Sequence, residues 1–207
     1  MAAIKLHRHA LSGHSHRVEL FLSILGLDAE IVDVDLASGA HKSAEFLAKN
    51  PLGQVPVLDD GALSLADSNA ILVYLASQYD QSGRWLPKAP ADAAEVQRFL
   101  SIAAGKVASG PAVARIINVF NTGMDPKGSI AVAHTILAQI NDHLVAREWL
   151  ATNSPTIADL ANYAYIAHAP EGDVSLETYP HIKSWLQRIE NLPGFVPMQA
   201  SAVGLNA

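Results

Sequence analysis

A serine-containing loop near the start of the chain is the first place where residue types and spacing could do chemistry. The segment 10–18 carries Ser12 and Ser15 and leads into a helical pattern. Backbone N–H groups at a helix N-terminus are unpaired and partly positive, so an anion docked there is stabilised. Serine is also a common helix N-cap. The loop therefore predicts either an anion site or an ordinary cap, and spacing alone favours the cap.

A proline-rich turn follows the second helical pattern, in the segment 50–58. A proline that opens a strand removes a ladder donor, so it belongs at a sheet edge or beside a ligand. A cis bond between Val55 and Pro56 would turn the Val55 N–H and C=O outward, where they could pair with an extended peptide. The alternative interpretation is an ordinary turn before a strand.

Two further segments could hold charged groups of a ligand. Asp67 and Ser68 stand at the start of a helical pattern, where a carboxylate would suit the N–H groups and the Ser68 hydroxyl, and an ammonium would suit Asp67. Capping residues are expected there in any case. His41 and Lys42 could hold a second carboxylate, or could be a solvated pair. Together the segments describe a site for a short peptide with a carboxylate at each end and a reactive atom between them.

Composition excludes several classes of function. The chain has 207 residues, a formal net charge of −6 and no cysteine. It can therefore have no disulfide framework and no Cys nucleophile, and any thiol chemistry must use a thiol that the ligand brings. An acidic chain without a Lys/Arg run is a poor candidate for nucleic-acid binding. Neither Gly-x-Ser-x-Gly nor a Gly-rich phosphate loop is present, which disfavours hydrolase and nucleotide-binding readings.

Localisation and metal binding are predicted from weaker signals. The N-terminus lacks the apolar run of a signal peptide, and no apolar stretch approaches the roughly 20 residues of a membrane span. We therefore expect a soluble, cytoplasmic protein without membrane contact. Two His-x-His pairs invite a zinc reading, but further ligands are missing nearby in sequence. We expect no metal at these residues, which are His7, His9, His14 and His16.

Hydrophobic periodicity predicts the elements that position these segments. The first 80 residues have the order β-α-β-α-β-β-α, and the β-α-β start favours a parallel pair. The second strand is expected through Val32, Val34 and Leu36, and the second helix over 41–50, where Asn50-Pro51 ends it. Asp60-Gly61 predicts the turn of a hairpin between the last two strands. Residues 81–90 interrupt both periodicities with Gly and Pro and predict a linker. Residues 91–207 have helical spacing throughout, with a kink or interruption expected at Gly110-Pro111.

At this point the whole chain resembles the cytosolic glutathione S-transferases, most closely the bacterial, serine-type members with phi- and tau-like features. The most specific matches are the segments 41–47 and 50–58 and the segment 67–71 that follows at the family's spacing. The resemblance implies an α/β thioredoxin-like N-terminal domain (1–80), a linker (81–90) and an all-α C-terminal helical bundle domain (91–207). Thr156-Ile157-Ala158-Asp159 resembles the family's capping box, which serves folding.

The resemblance also implies roles for individual residues. Ser12 matches the serine that stabilises the thiolate of bound glutathione. The other implied glutathione-binding residues are Gln54, Val55 and Pro56 at the cysteinyl-glycine backbone, Asp67 and Ser68 at the γ-glutamyl end, and His41 and Lys42 near the glycine carboxylate. The sequence departs from the family where Gly13 follows Ser12 in place of the usual Pro. His14 and Ser15 are close enough in sequence to compete for the sulfur.

The implied activity is conjugation of glutathione, the co-substrate, to small apolar electrophiles, a detoxification chemistry. The electrophile is expected between the first-domain loop and the kinked helix, at a set of residues comprising Ala104, Ala108, Pro111, Ala112 and Arg115. Arg115 could equally be a solvated helix residue. The family implies a homodimer. Two alternatives stay open: a non-catalytic ligand- or partner-binding member of the fold, and a glutathione-dependent isomerase or peroxide reductase.

Overall fold

The computed structural model describes residues 4–207, and the chain divides into two compact units. The first unit runs to Gln81 and includes Pro193–Gln199, and the second comprises Ser82–Leu192 and Ala200–Ala207. This differs from the expected boundaries in two ways. Residues 193–199 belong to the first unit although a single domain was expected over 91–207. The expected linker holds Trp85, which is only 2% exposed.

The first unit is a four-stranded sheet with three α-helices. In chain order its elements are β1 (Ile4–Arg8), α1 (Gly13–Ile24), β2 (Ala29–Asp33), α2 (Ala44–Lys49), β3 (Val57–Asp60), β4 (Leu63–Ala66) and α3 (Ser68–Tyr79). The strand order is β2-β1-β3-β4, with β1 and β2 parallel and the other pairs antiparallel. The predicted element order and the parallel pair are confirmed.

The boundaries of two elements differ from the sequence expectation. The second strand was expected through Val32, Val34 and Leu36, but β2 ends at Asp33, after which the Val34 amide donates to the Arg8 carbonyl at 2.7 Å. The helix expected over 41–50 is shorter, because a 3₁₀ turn at Ala40–Lys42 precedes α2. The turn places His41 and Lys42 ahead of the α2 N-cap rather than inside the helix.

The second unit is helical, as predicted. Its α-helices are α4 (Pro90–Ile102), α5 (Val113–Val119), α6 (Lys127–His143), α7 (Ile157–Ala167) and α8 (Pro180–Glu190). Helix α7 is the most buried of these, since every residue from Ile157 to Ile166 is buried. The predicted capping box at its start is confirmed: Thr156 caps the helix and the Asp159 side chain returns to the Thr156 amide.

The region around Gly110-Pro111 departs from α geometry, as expected, but not as a break. Residues Ala103–Ala112 form a π-helix that is continuous with α4 and α5. A Cβ on Gly110 would lie 2.8 Å from the Ala133 amide nitrogen of α6, so this close helix contact requires glycine. A π-helix is rare and occurs mostly as a single-turn bulge inside an α-helix, so a π-helix of ten residues is unusual.

The continuous helix Pro90–Val119 is long and apolar enough to cross a membrane by length and composition alone. A single helix of this kind is weak evidence for a membrane span, because the core helices of soluble proteins pass the same test. Half of its most apolar window is buried inside the protein, as in the core helix of a globular unit.

Candidate functional site

Ser12 is the N-cap of α1, and its side chain keeps one hydrogen-bonding function uncommitted. Its Oγ accepts the Ser15 amide at 3.2 Å, and its backbone is fixed by bonds to the His9 carbonyl and the His16 amide. A hydroxyl has one donor and two acceptor sites. No hydrogen bond between described residues uses the Ser12 hydroxyl proton, and Ser12 is half-buried. The cap and anion-site interpretations are therefore compatible, because one uses the acceptor and the other the donor.

Ser15 does not share this position. It is 1% exposed, and its Oγ accepts the His9 amide at 3.3 Å. The expectation that Ser15 competes for a ligand's sulfur is not supported, because its hydroxyl is enclosed by its own unit. The bond instead ties the first turn of α1 to the loop that precedes it.

His14 points to the start of α3. Its Nδ1 lies 3.3 Å from the Ser68 Oγ. Burial, reinforced by the Arg17 charge, lowers the pKa of His14 to about 3, so the imidazole is neutral at physiological pH. This contact brings together the N-termini of two helices, α1 and α3, both of which were predicted to bind anions.

The N-terminus of α3 is partly occupied by its own cap. The Asp67 carboxylate accepts the Asn69 and Ala70 amides through one oxygen, Oδ1, at 2.9 Å each. A ligand carboxylate therefore finds the Ser68 amide and hydroxyl rather than the whole first turn. No hydrogen bond between described residues uses Asp67 Oδ2, and Asp67 is exposed. The second oxygen can accept from an ammonium.

Arg17 supports this helix start from inside the unit, a role that sequence reasoning missed. Arg17 is 1% exposed, and its guanidinium donates to Ser68 Oγ at 3.2 Å and to Asn69 Oδ1 at 2.8 Å. The available signal was its spacing. Arg17 lies four residues before Phe21, on the apolar face of α1, and a buried charge at such a position must be paired.

The turn before β3 is held by another residue that sequence reasoning treated only as a helix end. The Asn50 side chain is buried, donates to the Gln54 carbonyl at 2.8 Å and accepts the Leu52 amide at 3.0 Å. The following Val55–Pro56 peptide bond is cis. The Val55 side chain packs against the core cluster of Val34, Phe46 and Val57. Over residues 4–207, neither the N–H nor the C=O of Val55 takes part in a backbone hydrogen bond.

Lys42 also stabilises the turn before β3. Its ammonium donates to the carbonyls of Leu52 and Gly53 at 3.2 and 3.1 Å. Gly53 has a φ of +58°, and an added Cβ would lie 2.7 Å from the Lys42 Nζ and 2.8 Å from the His41 carbonyl oxygen. The close approach therefore requires glycine. The ammonium has three donors, so one remains for a ligand carboxylate.

The four histidines between positions 7 and 16 have separate partners. His7 bonds to Asp59 at 2.8 Å, His14 contacts Ser68, and His16 bonds to the Val196 carbonyl at 2.8 Å. The His9 Nδ1 accepts the Leu11 amide at 3.3 Å. Within residues 4–207, no group of three or more potential ligands is placed to hold a metal ion.

The residues predicted for the electrophile have two different environments. Ala104 is exposed and Ala108 half-buried. Pro111, Ala112 and Arg115 are buried, which disfavours their prediction as lining residues. Pro111 and Ala112 follow Gly110, where the π-helix packs closely on α6, whereas Arg115 lies in α5.

Arg115 is committed to a buried ion pair inside the second unit. Its Nε lies 2.7 Å from Glu171 Oε2, and both side chains are at most 1% exposed. Burial opposes ionisation of Glu171, but bonds from His168 and Ser201 and the Arg115 charge outweigh it and lower the pKa of the carboxyl. The solvated interpretation of Arg115 is therefore wrong, and the ion pair disfavours a contact with the electrophile.

Comparison with known proteins gives one consistent result. A family model described as the glutathione S-transferase N-terminal domain matches residues 2–77, and one described as the C-terminal domain matches residues 131–193. The chain is 36% identical to glutathione S-transferase 3 of Zea mays over 206 residues, which covers 94% of this chain and 92% of that protein.

Solved structures agree with the sequence comparisons. Glutathione S-transferase from Pseudomonas fluorescens is 31% identical, with a TM-score of 0.89 over 96% of this chain and 100% of that one. A glutathione transferase homologue from Drosophila mojavensis, solved with bound glutathione, is 28% identical, with a TM-score of 0.85 over 93% of this chain and 90% of that one.

Proposed function

The chain belongs to the glutathione S-transferase family and is a glutathione transferase, and we propose that Ser12 activates its glutathione by donating a hydrogen bond to the thiolate. The observation that carries this proposal is the uncommitted hydroxyl proton of Ser12 at the N-terminus of α1. The chain has no cysteine, so the reacting sulfur is the ligand's own. Ser12 acts as a hydrogen-bond donor and not as a nucleophile.

The energy available at this position is sufficient for the task. A free thiol with a pKa of about 8.5 is only a few per cent thiolate at pH 7. Lowering that pKa by about two units requires about 2.7 kcal/mol of preference for the anion. One hydrogen bond to a charged acceptor supplies roughly 1.5–3 kcal/mol, and the helix N-terminus adds about 0.3–1 kcal/mol. Ser12 and α1 therefore suffice without a general base.

The remaining groups of glutathione match the other elements of the first unit. We assign the γ-glutamyl carboxylate to the Ser68 amide and hydroxyl, and its ammonium to the exposed Asp67. The Val55 N–H and C=O, which have no backbone partner in the described part of the chain, suit the cysteinyl backbone, beside Gln54 and Pro56. Such pairing is strand addition at a sheet edge.

We assign the glycine carboxylate to Lys42, with His41 adjacent. The Lys42 ammonium already binds two carbonyls of the turn, so it is held in place before the ligand arrives. A cation fixed in advance loses less side-chain entropy when it binds. His41 is half-buried and lies in the same 3₁₀ turn.

The proposed second substrate is a small apolar electrophile. Of the residues predicted to contact it, Ala104 and Ala108 remain candidates because they are accessible and apolar. From the family we also propose a homodimer in the cytoplasm, with neither nucleic acid nor a metal taking part. Measurement of the mass in solution by light scattering tests the dimer.

The kinetic test compares Ser12→Ala with wild type, using a generic aromatic electrophile at saturating glutathione. Loss of two pKa units lowers the thiolate fraction at pH 7, and hence kcat, by about 20-fold. The two enzymes should converge above about pH 9, where free thiols are ionised as well. A reduction that persists unchanged to high pH would contradict thiolate stabilisation, because a structural defect does not depend on the ionisation of the ligand.

Two conservative variants distinguish the hydrogen-bond donor function of Ser12 from its N-cap function. Ser12→Asp keeps a good N-cap but has no donor and adds a negative charge, so its rate should be no higher than that of Ser12→Ala. Ser12→Thr keeps both functions and should stay within a few-fold of wild type. If Ser12→Asp were as active as wild type, the Ser12 assignment would be lost and only its capping role would remain.

A further inference from the structure

The contact between His14 and Ser68 has a consequence for how glutathione is held. Ser68 Oγ lies 3.2 Å from an Arg17 nitrogen and 3.3 Å from His14 Nδ1. A guanidinium can only donate, so Ser68 Oγ accepts from Arg17. The direction of the hydroxyl proton then depends on which nitrogen of His14 carries its proton.

Only one tautomer of His14 lets Ser68 donate to a ligand. If Nδ1 is unprotonated, the Ser68 proton points to it, and Oγ presents lone pairs to an incoming carboxylate. If Nδ1 carries the proton, Oγ accepts from both Arg17 and His14, and its own proton is left for the carboxylate. A carboxylate at this position therefore selects the Nδ1–H form.

We propose that His14 is a positioning residue for glutathione: its Nδ1–H fixes the Ser68 hydroxyl so that the proton points at the γ-glutamyl carboxylate. This inference rests on the proposed placement of that carboxylate at Ser68. It assigns His14 to the γ-glutamyl end of the ligand and not to the sulfur, although His14 is only two residues from Ser12.

The surroundings of His14 support a neutral, directional role. Burial and the Arg17 charge hold the pKa of His14 near 3, so the ring does not titrate in the working range. Arg17 itself is buried and fixed by Asn69 as well as by Ser68. Ser68 is 5% exposed, so few waters can replace a lost partner. The orientation of its hydroxyl is thus set by these two neighbours.

The test is a double-mutant cycle on glutathione binding, measured by calorimetry, with His14→Leu, Ser68→Ala and the double variant. His14→Leu should weaken glutathione binding about ten-fold, the factor that one hydrogen bond is worth. In the Ser68→Ala background the same change should have little further effect, because His14 acts through Ser68. Equal effects in both backgrounds would overturn the proposal.

The kinetic parameters distinguish this role from a contact with sulfur or with the fold. His14→Leu should raise the KM for glutathione, because orienting one hydrogen bond at the end of the ligand remote from the sulfur changes ground-state binding. The kcat should stay within about two-fold of the wild-type value, and the pKa of the bound thiol within about 0.3 units of it. His14→Asn offers an amide donor and should recover part of the affinity. A fall in kcat with a raised thiolate pKa would instead place His14 at the sulfur and overturn the inference.

A different result is expected if the γ-glutamyl carboxylate does not bind at Ser68. If Ser68→Ala alone binds glutathione as wild type does, the γ-glutamyl carboxylate is not at Ser68, and the proposed placement fails together with the role of His14. If Ser68→Ala weakens binding and His14→Leu does not, only the inference about His14 fails.

Discussion

Two of the hydroxyl side chains that cap helices in this molecule, Ser12 and Thr156, have different roles. Ser12 at α1 accepts one amide, stays half-buried and leaves its proton uncommitted. Thr156 at α7 is fully buried, accepts the Ala158 amide at 3.2 Å and donates to Asp159 at 3.3 Å. A cap whose donor is used within the fold stabilises structure, whereas an accessible cap with a donor left over can bind a ligand.

The acidic residues beside the two helices repeat this contrast. Asp159 is fully buried and uses both oxygens, for the Leu150 amide and the Trp185 indole on one and for Thr156 on the other. Burial raises the pKa of Asp159, although these bonds act in the opposite direction. Asp67 is exposed and uses one oxygen for its own helix. The capping motif alone does not reveal function; accessibility and unused bonding capacity do.

The largest expected effect comes from removing the buried carboxylate. Asp159→Ala leaves three buried N–H groups without an acceptor, each costing about 1–3 kcal/mol, so the free energy of unfolding should fall by roughly 3–9 kcal/mol. Denaturant unfolding measures the loss.

Two comparisons keep the Asp159 prediction testable. Asp159→Asn retains one of the two side-chain oxygens. This variant can be measured if the alanine variant does not accumulate. Asp67→Ala, at the exposed cap, should cost about 1 kcal/mol in stability and weaken glutathione binding. A loss below 1 kcal/mol for Asp159→Ala would contradict the contrast between the two caps.

The second-largest expected effect is the contribution of Asp59 to stability, which shows that some charged residues of the first unit serve folding. Asp59 on β3 bonds to Lys49 and His7 at 2.7 and 2.8 Å. Burial opposes ionisation of Asp59, but the bonds from Lys49, Ser64 and His7 outweigh it and lower its pKa to about 2. The unfolded value is 3.8, so the difference corresponds to about 2 kcal/mol of stability.

The direction of the pH dependence of stability follows from the lowered pKa of Asp59. The ionised form is favoured by folding, so the contribution is complete above about pH 5 and is lost as the pH falls through 3.8 towards 2. Wild type and Asp59→Asn should therefore differ in free energy of unfolding by about 2 kcal/mol less at pH 2 than at pH 6. A difference that does not change with pH would contradict this account of Asp59.

The smallest expected effect is the loss of stability when either of two serine caps, the half-buried Ser12 or the exposed Ser43, is replaced by alanine. Ser12 and Ser43 each accept an amide at 3.2 Å, from Ser15 and Phe46. Each serine-to-alanine change should cost about 1 kcal/mol of stability. Only the Ser12 change should alter the pH dependence of kcat. If Ser43→Ala reproduced that change, the effect would come from capping rather than from contact with the thiolate.

Much of the first unit could be predicted from the sequence because its signals are local. Strand alternation, the Asp60-Gly61 turn and the capping positions are set by neighbouring residues, and the structure confirms the element order. The capping box at Thr156 was predicted for the same reason. The ends of β2 and α2 were not, since they depend on hydrogen bonds to distant strands and on a 3₁₀ turn.

Other unpredicted features depend on which side chains meet across the fold. Arg17 supports the site through contacts with Ser68 and Asn69, which lie more than 50 residues away in the chain. The burial of Arg115 depends on Glu171, which is 56 residues away in the chain. Ser15 and Ser12 are both serines at the same helix start, and only packing distinguishes the buried one from the accessible one.

The central claim is that Ser12 donates to the thiolate, and titration of that thiolate tests it most directly. The ultraviolet thiolate band of bound glutathione would be followed against pH in wild type and Ser12→Ala, with calorimetry to confirm that both bind. We predict a thiolate pKa about two units below 8.5 in wild type and a return towards 8.5 in the variant. Equal pKa values in two proteins that both bind glutathione would contradict the claim.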